Sequence, residues 1–287
     1  MEDKAVKGFS GVKLFRNIIC IFLCLLSIIP FYIMTINATH DSSTILKGLK
    51  LLPGSKFSQN FKNLLSGEAK TSGVNVMKAM LNSLIITVPA TILQVYFGSL
   101  TAYAVTAYRF RGRNIIWGFI YGIMMIPTQI SIVGFIKISK LAHIYGTFYP
   151  MIIPAIAAPT TVYFMKQYME GGLSLEIVQA ARIDGAGEFK TFNSVVLPIL
   201  KPAMATQAIF GFVASWNNLY TPSLILATER KKMTMPMYVS ALKSNDKEQD
   251  WGQIYCGLFV TVLPILVAYL FLSKYIIGGV ALGGVKE

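Results

Sequence analysis

Charge is what this sequence has least of. Only 14% of its 287 residues are Asp, Glu, Lys or Arg, against 54% hydrophobic, where a soluble domain carries about 25% charged residues. The shortage excludes an ordinary water-soluble globule. The apolar excess excludes a disordered chain, which stays unfolded because it has too little apolar surface to bury. Cysteine and histidine are nearly missing too. Cys20, Cys24 and Cys256 fall in apolar stretches, and neither His40 nor His143 pairs with them at metal-ligand spacing. All three are therefore expected to be buried packing thiols, with no metal bound. Absent as well are a G-x-x-x-x-G-K-[ST] phosphate loop, an H-E-x-x-H motif, a C-x-x-C pair and a G-x-S-x-G turn. Nucleotide, metalloprotease, redox and hydrolase chemistry lose their usual marks with them. The chain is expected to be no enzyme, to have no catalytic residues and to bind no cofactor; if ATP drives it, another subunit binds the nucleotide.

What the chain has in excess is apolar length and basic charge. Its 26 Lys and Arg against 13 Asp and Glu give +13, and its mean hydropathy is +0.56. In a soluble protein such a charge would suggest a nucleic-acid partner. Here the basic residues lie between long apolar runs, so anionic lipid is the expected partner and nucleic acid is not. A bilayer core of about 30 Å needs about 20 apolar residues in a helix. Six uncharged runs of that order occur, at 17–37, 79–107, 114–136, 145–165, 202–228 and 252–273. Lipid offers a backbone no partner but itself, so each run predicts a helix and the fold is expected to be an all-α membrane protein with six spans. Lys4, Lys7, Lys13 and Arg16 precede the first run as in a signal peptide, but the apolar part is too long and no small-x-small site follows, which predicts an uncleaved span. Pro89, Pro127, Pro154 and Pro264 are expected to kink later spans. The 26 Lys and Arg divide evenly between the two sets of connections, so the positive-inside rule gives no orientation beyond the basic turn at Arg109, Arg111 and Arg113.

No ionisable residue lies inside any run, which weakens an ion-coupled carrier, since such carriers usually hold charged relays at membrane depth. The runner-up reading remains an ion-coupled secondary transporter of small polar solutes, and a third is a non-transporting membrane scaffold. The connection at 166–201 is the most informative segment. Ser174 is placed to cap a helix over Leu175 to Ile183 with Glu176 near its positive end. Asp184 and Gly185 then break it, and a second short stretch from Glu188 to Val196 leads to Pro198 and Pro202, which suit the first turn of the next span. Ala180, Ala181 and Gly185 strip bulk from one patch. By pattern alone this is either a short helix seated in another protein's groove or an amphipathic hairpin on lipid headgroups.

Gln179-Ala180-Ala181, then Gly185, then Val195-x-Leu197-Pro198 resembles the E-A-A-x3-G-x9-I-x-L-P signature of permease subunits in binding-protein-dependent ABC importers. Spacing agrees at every position; Gln179 stands where the family usually has Glu, and Val195 where it usually has Ile. The first departure removes a carboxylate expected in the family to engage a basic residue of the ATPase. The resemblance extends over 76–287. Asn82-Ser83-Leu84, the turn from Tyr103-Ala104 to Arg113, Ile126-Pro127-x-Gln129, Ala180 to Ala186, and Trp216-Asn217 are similar to the carbohydrate-uptake branch that includes the maltose permease MalG. Ala142-His143-Ile144 departs from its usual G-L-x-x-T.

The resemblance implies a MetI-like permease domain over 76–287, preceded at 1–75 by a cytosolic segment, a first span and an external loop. It implies a multi-pass protein of the bacterial cytoplasmic membrane with cytosolic termini, and a cytosolic coupling loop at 166–201 between spans 4 and 5. It further implies a second, MalF-like permease, two ATPase copies holding ATP and Mg, an extracellular solute-binding protein, and a sugar substrate. Gln179, Ala180, Ala181, Asp184, Gly185, Leu197 and Pro198 are the expected ATPase-coupling residues, Asp184 through a bond that holds the turn. Gln129, Gln207, Trp216, Asn217 and Asn218 could line a polar path for the sugar, or serve only to join neighbouring helices.

Overall fold

The computed structural model describes residues 11–66, 74–127, 129–243 and 249–283. Among the described residues every regular element is helical and no strand forms. In chain order these are α1 (Gly11–Asn37), α2 (Ser42–Leu46), α3 (Phe57–Ser66), α4 (Val76–Ala107), α5 (Arg113–Met124), α6 (Ile132–Leu141) and α7 (Tyr149–Ile152). They continue as α8 (Pro159–Gly172), α9 (Leu175–Ile183), α10 (Glu188–Thr191), α11 (Leu197–Trp216), α12 (Tyr220–Ile225), α13 (Met235–Lys243) and α14 (Trp251–Gly283). A 3-10 turn at Ile153–Ile156 follows α7, and a π turn at Phe192–Val196 joins α10 to α11.

Among the described residues, four helical stretches are long and apolar enough to cross a membrane: Lys13–Asn37, Val76–Ala107, Glu188–Trp216 and Trp251–Tyr275. The two remaining expected spans are not single helices. The run at 114–136 is divided into α5 and α6 on either side of Pro127, and the run at 145–165 into α7, a 3-10 turn and α8. Proline restricts the residue before it to extended backbone and supplies no N–H. Ala158, just before Pro159, accordingly leaves the helical region, with φ −105° and ψ 87°. Pro89 and Pro264 instead lie inside unbroken helices. The fifth expected span also begins earlier than the apolar run suggests. Glu188 opens it, Pro198 sits in the first turn of α11, and Pro202 lies inside the helix rather than at its start.

The described residues divide into two compact units. The first draws on Met1–Ser66 and Lys243–Phe259. Here Asn60, buried, donates from Nδ2 to the carbonyls of Ala38 and His40, both at 2.8 Å, and so satisfies the chain as it leaves α1. Asp41 caps α2 by accepting from the Thr44 N–H at 2.8 Å, and the Ser43 hydroxyl donates to it at 2.8 Å. Those bonds, the Ser43 hydroxyl foremost, pull the Asp41 carboxyl down to about 2. The body of α1 is bare, and Cys20 and Cys24 are exposed on it. This corrects the expectation of three buried thiols: only Cys256 is buried, because among the described residues nothing covers the part of α1 that carries Cys20 and Cys24.

The second unit draws on Gly67–Leu242 and Val260–Glu287 and is organised around α4, against which α8 and α11 pack. Close approach is a matter of missing side chains. A Cβ on Gly98 would lie 2.7 Å from Thr161 Cγ2, and one on Gly211 would lie 2.9 Å from Gln94 Oε1. Gln94 itself donates to Thr161 Oγ1 at 2.7 Å, so one amide from α4 touches both neighbours. Side-chain hydrogen bonds of this kind join helices where apolar packing against lipid gives no net drive. At one end, Tyr103, Met165, Met169, Val178, Phe192 and Leu200 form a continuous buried cluster drawn from α4, α8, α9, the π turn and α11.

Candidate functional site

The segment at 166–201 folds as a compact elbow. Ser174 Oγ accepts from the Glu176 N–H at 3.3 Å and starts α9, with Glu176 in its first turn. The helix ends in a Schellman arrangement: Gly185 N–H donates to Arg182 O and Ala186 N–H to Ala181 O, each at 3.0 Å, around Gly185 at φ +76°. That conformation is open to glycine and strained for other residues. Asp184 is the C-cap, its N–H bonded to the carbonyls of Ala180 and Arg182, and these backbone bonds close the turn. Gln179, Ala180, Asp184 and Gly185 are exposed, and Ala181 is half-buried. A Cβ on Gly185 would meet nothing within 4 Å, so the space above it is open. Leu197 and Pro198 are not on this outer patch; they form the first turn of α11.

Only one side chain of α9, Val178, is buried, where it keys into the cluster under α4. Outward, the elbow presents Ile183, 86% exposed, and Phe189, 69% exposed.

A clasp that the sequence reading missed locks the two halves of the elbow together. Arg182 Nε lies 2.8 Å from Glu188 Oε1, and its Nη2 donates to Glu188 Oε2 at 3.2 Å. Tyr108, the C-cap of α4, donates its hydroxyl to the same carboxylate, while the Arg182 guanidinium sits 5.2 Å from the Tyr108 ring centroid. Burial and this hydrogen bond push the Tyr108 phenol well above the usual tyrosine range, so it stays a donor. Arg182 and Glu188 flank the Gly185 turn, a spacing that could have signalled the pair; nothing in the sequence points to Tyr108. Lys166 at the base of the elbow pairs with Glu170 and lies 4.4 Å from the Trp117 ring centroid. Trp117 also stacks on Tyr163, which gives it a packing role at this end of the unit.

The five residues suggested for a polar path occupy different settings. Trp216 is 1% exposed, stacks on Phe212 with centroids 5.8 Å apart, and donates from Nε1 to Thr261 O at 3.0 Å. Asn217 is exposed and caps α11, and Asn218 accepts the Thr221 N–H at 3.1 Å. Trp216 and Asn218 meet Ser83, Thr87, Ser215 and Thr234 at a cavity of about 10 Å³, room for about one water and no more. Gln207 is buried along α11, and Gln129 is exposed between α5 and α6. Hydroxyls the sequence reading passed over supply most of the polar lining at this level, with Ser215 and Thr87 bonded at 3.3 Å.

Comparison with known proteins bears on the whole chain. The family described as "Binding-protein-dependent transport system inner membrane component" matches residues 94–276. The arabinooligosaccharides transport system permease protein AraQ of Bacillus subtilis (strain 168) is 30% identical over 281 residues, 97% of each chain. The sn-glycerol-3-phosphate transport system permease protein UgpE of Yersinia pestis bv. Antiqua (strain Antiqua) is 25% identical, over 96% of this chain and 98% of its own. Among solved structures, a chain of a bacterial ABC transporter involved in the import of the acidic polysaccharide alginate superposes with a TM-score of 0.76 at 18% identity, covering 93% of this chain and 98% of that one. Relatives and fold agree along nearly the full length and the family model over 94–276, and the chain belongs to the binding-protein-dependent transport system inner membrane components.

Proposed function

We propose that this chain is the permease subunit of an ATP-driven importer that takes a sugar or oligosaccharide from an extracellular solute-binding protein into the cytoplasm. The sugar assignment leans on the relatives: one is named for arabinooligosaccharides and another for a phosphorylated polyol. Family membership favours this reading over the ion-coupled carrier. In it, residues 76–287 are the permease domain, a second permease completes the pathway, and two ATPase subunits hold ATP and Mg.

The observation that carries the reading is the rigid elbow with its open glycine and its exposed Ile183 and Phe189. Such a shape suits a cleft on a cytosolic ATPase, with Gln179, Ala180, Ala181, Asp184 and Gly185 facing it. Because α10 runs through the π turn into α11 without leaving the helix, a push on the elbow passes straight into a membrane-crossing stretch. Leu197 and Pro198 lie at that junction and act as transmitters rather than contacts. Closure of two ATPases would rotate the elbow and switch the pathway from inward-facing to outward-facing, with the chain termini in the cytosol.

The test is labelling of Ile183→Cys with a membrane-impermeant maleimide, in a background with Cys20 and Cys24 replaced by Ser. Labelling should occur only from the cytosolic face, and assembly with the ATPase subunits should protect the site. Reaction from the extracellular face would overturn the orientation and the docking role together.

A further inference from the structure

The chain leaves α1 at Asn37, passes through α2, and then turns back. The Tyr32 side chain, five residues before the end of α1, donates its hydroxyl to the carbonyl of Leu51. Tyr32 lies within the membrane-crossing stretch Lys13–Asn37, so that contact ties Leu51 to a residue of the span. The returning segment lies alongside a helix whose own apolar length is bare.

The far end of the segment is tied down by hydrogen bonds. His40 Nε2 is bonded to the Leu52 carbonyl at 3.0 Å, the Gly54 N–H to Thr39 Oγ1 at 2.7 Å, and the Lys56 N–H to the Thr39 carbonyl at 2.8 Å. A Cβ on Gly54 would collide with the His40 ring at 2.6 Å. Yet this fixed loop points four leucines outward: Leu46, Leu49, Leu51 and Leu52, the last 78% exposed. Lys47 and Lys50 alternate with them. The carbonyls of Leu51 and Leu52 are bonded within the chain, and outward leucines interleaved with lysines suit a segment seated at the boundary of headgroups and acyl chains, about 5–10 Å deep.

We infer that residues 46–52 form a membrane-inserted loop that anchors the first unit to the leaflet at the carboxyl end of α1. The leucines enter the acyl region, and Lys47 and Lys50 reach phospholipid phosphates. Lipid is favoured over a protein partner by the Tyr32 contact, which ties the loop to a membrane-crossing stretch, and by the match of the lysines to anionic headgroups. The inference holds for either orientation of the chain and does not depend on the transport reading.

The experiment places a nitroxide at Leu52→Cys and, separately, at Leu49→Cys, with Ser55→Cys as an aqueous reference. Cys20 and Cys24 are replaced by Ser, while Cys256 is buried and remains. The full chain with its co-purifying subunits is reconstituted in vesicles of phosphatidylethanolamine and phosphatidylglycerol. Collision with oxygen, which concentrates in the acyl region, should exceed collision with a water-soluble nickel chelate at both leucine sites, the reverse of the order at the reference site. A chelate preference at the leucines would overturn the inference by placing the loop in water. Low collision with both probes would overturn it by placing a protein over the loop. If Leu52→Cys fails to insert, Leu46→Cys carries the same test.

Discussion

Gly185 shows how one residue can end a helix and also leave open the surface proposed for docking. Its φ of +76° terminates α9, and any L-residue there costs about 1–2 kcal/mol. The space above it is open in the chain itself, so Gly185→Asp is expected to leave the protein in the membrane at near-normal abundance. The added carboxylate would stand where the ATPase is proposed to sit. Substrate-stimulated ATP hydrolysis by the assembled variant should therefore fall to near the unstimulated rate, and normal stimulation would count against the docking role. Trp216 and Asn217 are adjacent but should respond oppositely. Trp216 is buried, stacked and hydrogen-bonded, so Trp216→Ala should cost about 3–5 kcal/mol and appear as a loss of thermal stability in detergent. Asn217 is exposed at a helix end, and Asn217→Ala should leave the melting temperature almost unchanged. If Asn217 lines the sugar path, the same variant raises the KM for transport; an unaltered KM removes it from that path.

At the scale of elements, the elbow is tied at three points, as the proposed lever requires. Val178 and Phe192 root it in the buried cluster, the π turn joins it to α11, and the clasp of Arg182, Glu188 and Tyr108 fixes the two short helices to the end of α4. The Arg182 and Glu188 side chains are 33% and 48% exposed, so their pairing should be worth no more than about 1 kcal/mol of stability. Its value lies in stiffness. Arg182→Ala is expected to lower the melting temperature only slightly while loosening the link between ATP hydrolysis and transport. The exchanged pair Arg182→Glu with Glu188→Arg should recover part of that link. If the exchange recovers nothing while each variant still assembles with the ATPase, the pair does not transmit motion. The runs at 114–136 and 145–165 are each divided between helices, a break that hydropathy does not report because it registers burial in lipid or protein alike and is blind to backbone direction. Ile126-Pro127 and Ala158-Pro159 were visible in the sequence, yet Pro89 and Pro264 are accommodated inside helices. Which proline breaks a helix depends on what packs around it.

For the whole molecule, the absence of ionisable residues from the apolar runs, together with family membership, gives a prediction about energy. In vesicles containing the complete complex and loaded with ATP on the cytosolic side, accumulation of the sugar should persist when proton and sodium gradients are collapsed. It should stop when ATP hydrolysis is blocked. Dependence on an ion gradient at constant ATP would return the chain to the carrier class.

Sequence alone determined the solvent and the family. Charge scarcity and runs of apolar residues fix a membrane-embedded helical chain, because unpaired backbone groups are too costly in lipid for any other local structure. The spacing from Gln179 to Pro198 carries the family because its capping residues act locally: Ser174, Asp184 and Gly185 set the ends of α9 through bonds within a few residues of themselves. Only tertiary structure decided which groups those elements bring together. The meeting of Tyr108 with Arg182 and Glu188, the burial of Trp216 beside Thr261, and the exposure of Cys20 and Cys24 all depend on what lies across from a residue. Contacts between distant parts of a chain leave no periodicity in it, so the partners become legible only once the helices are packed.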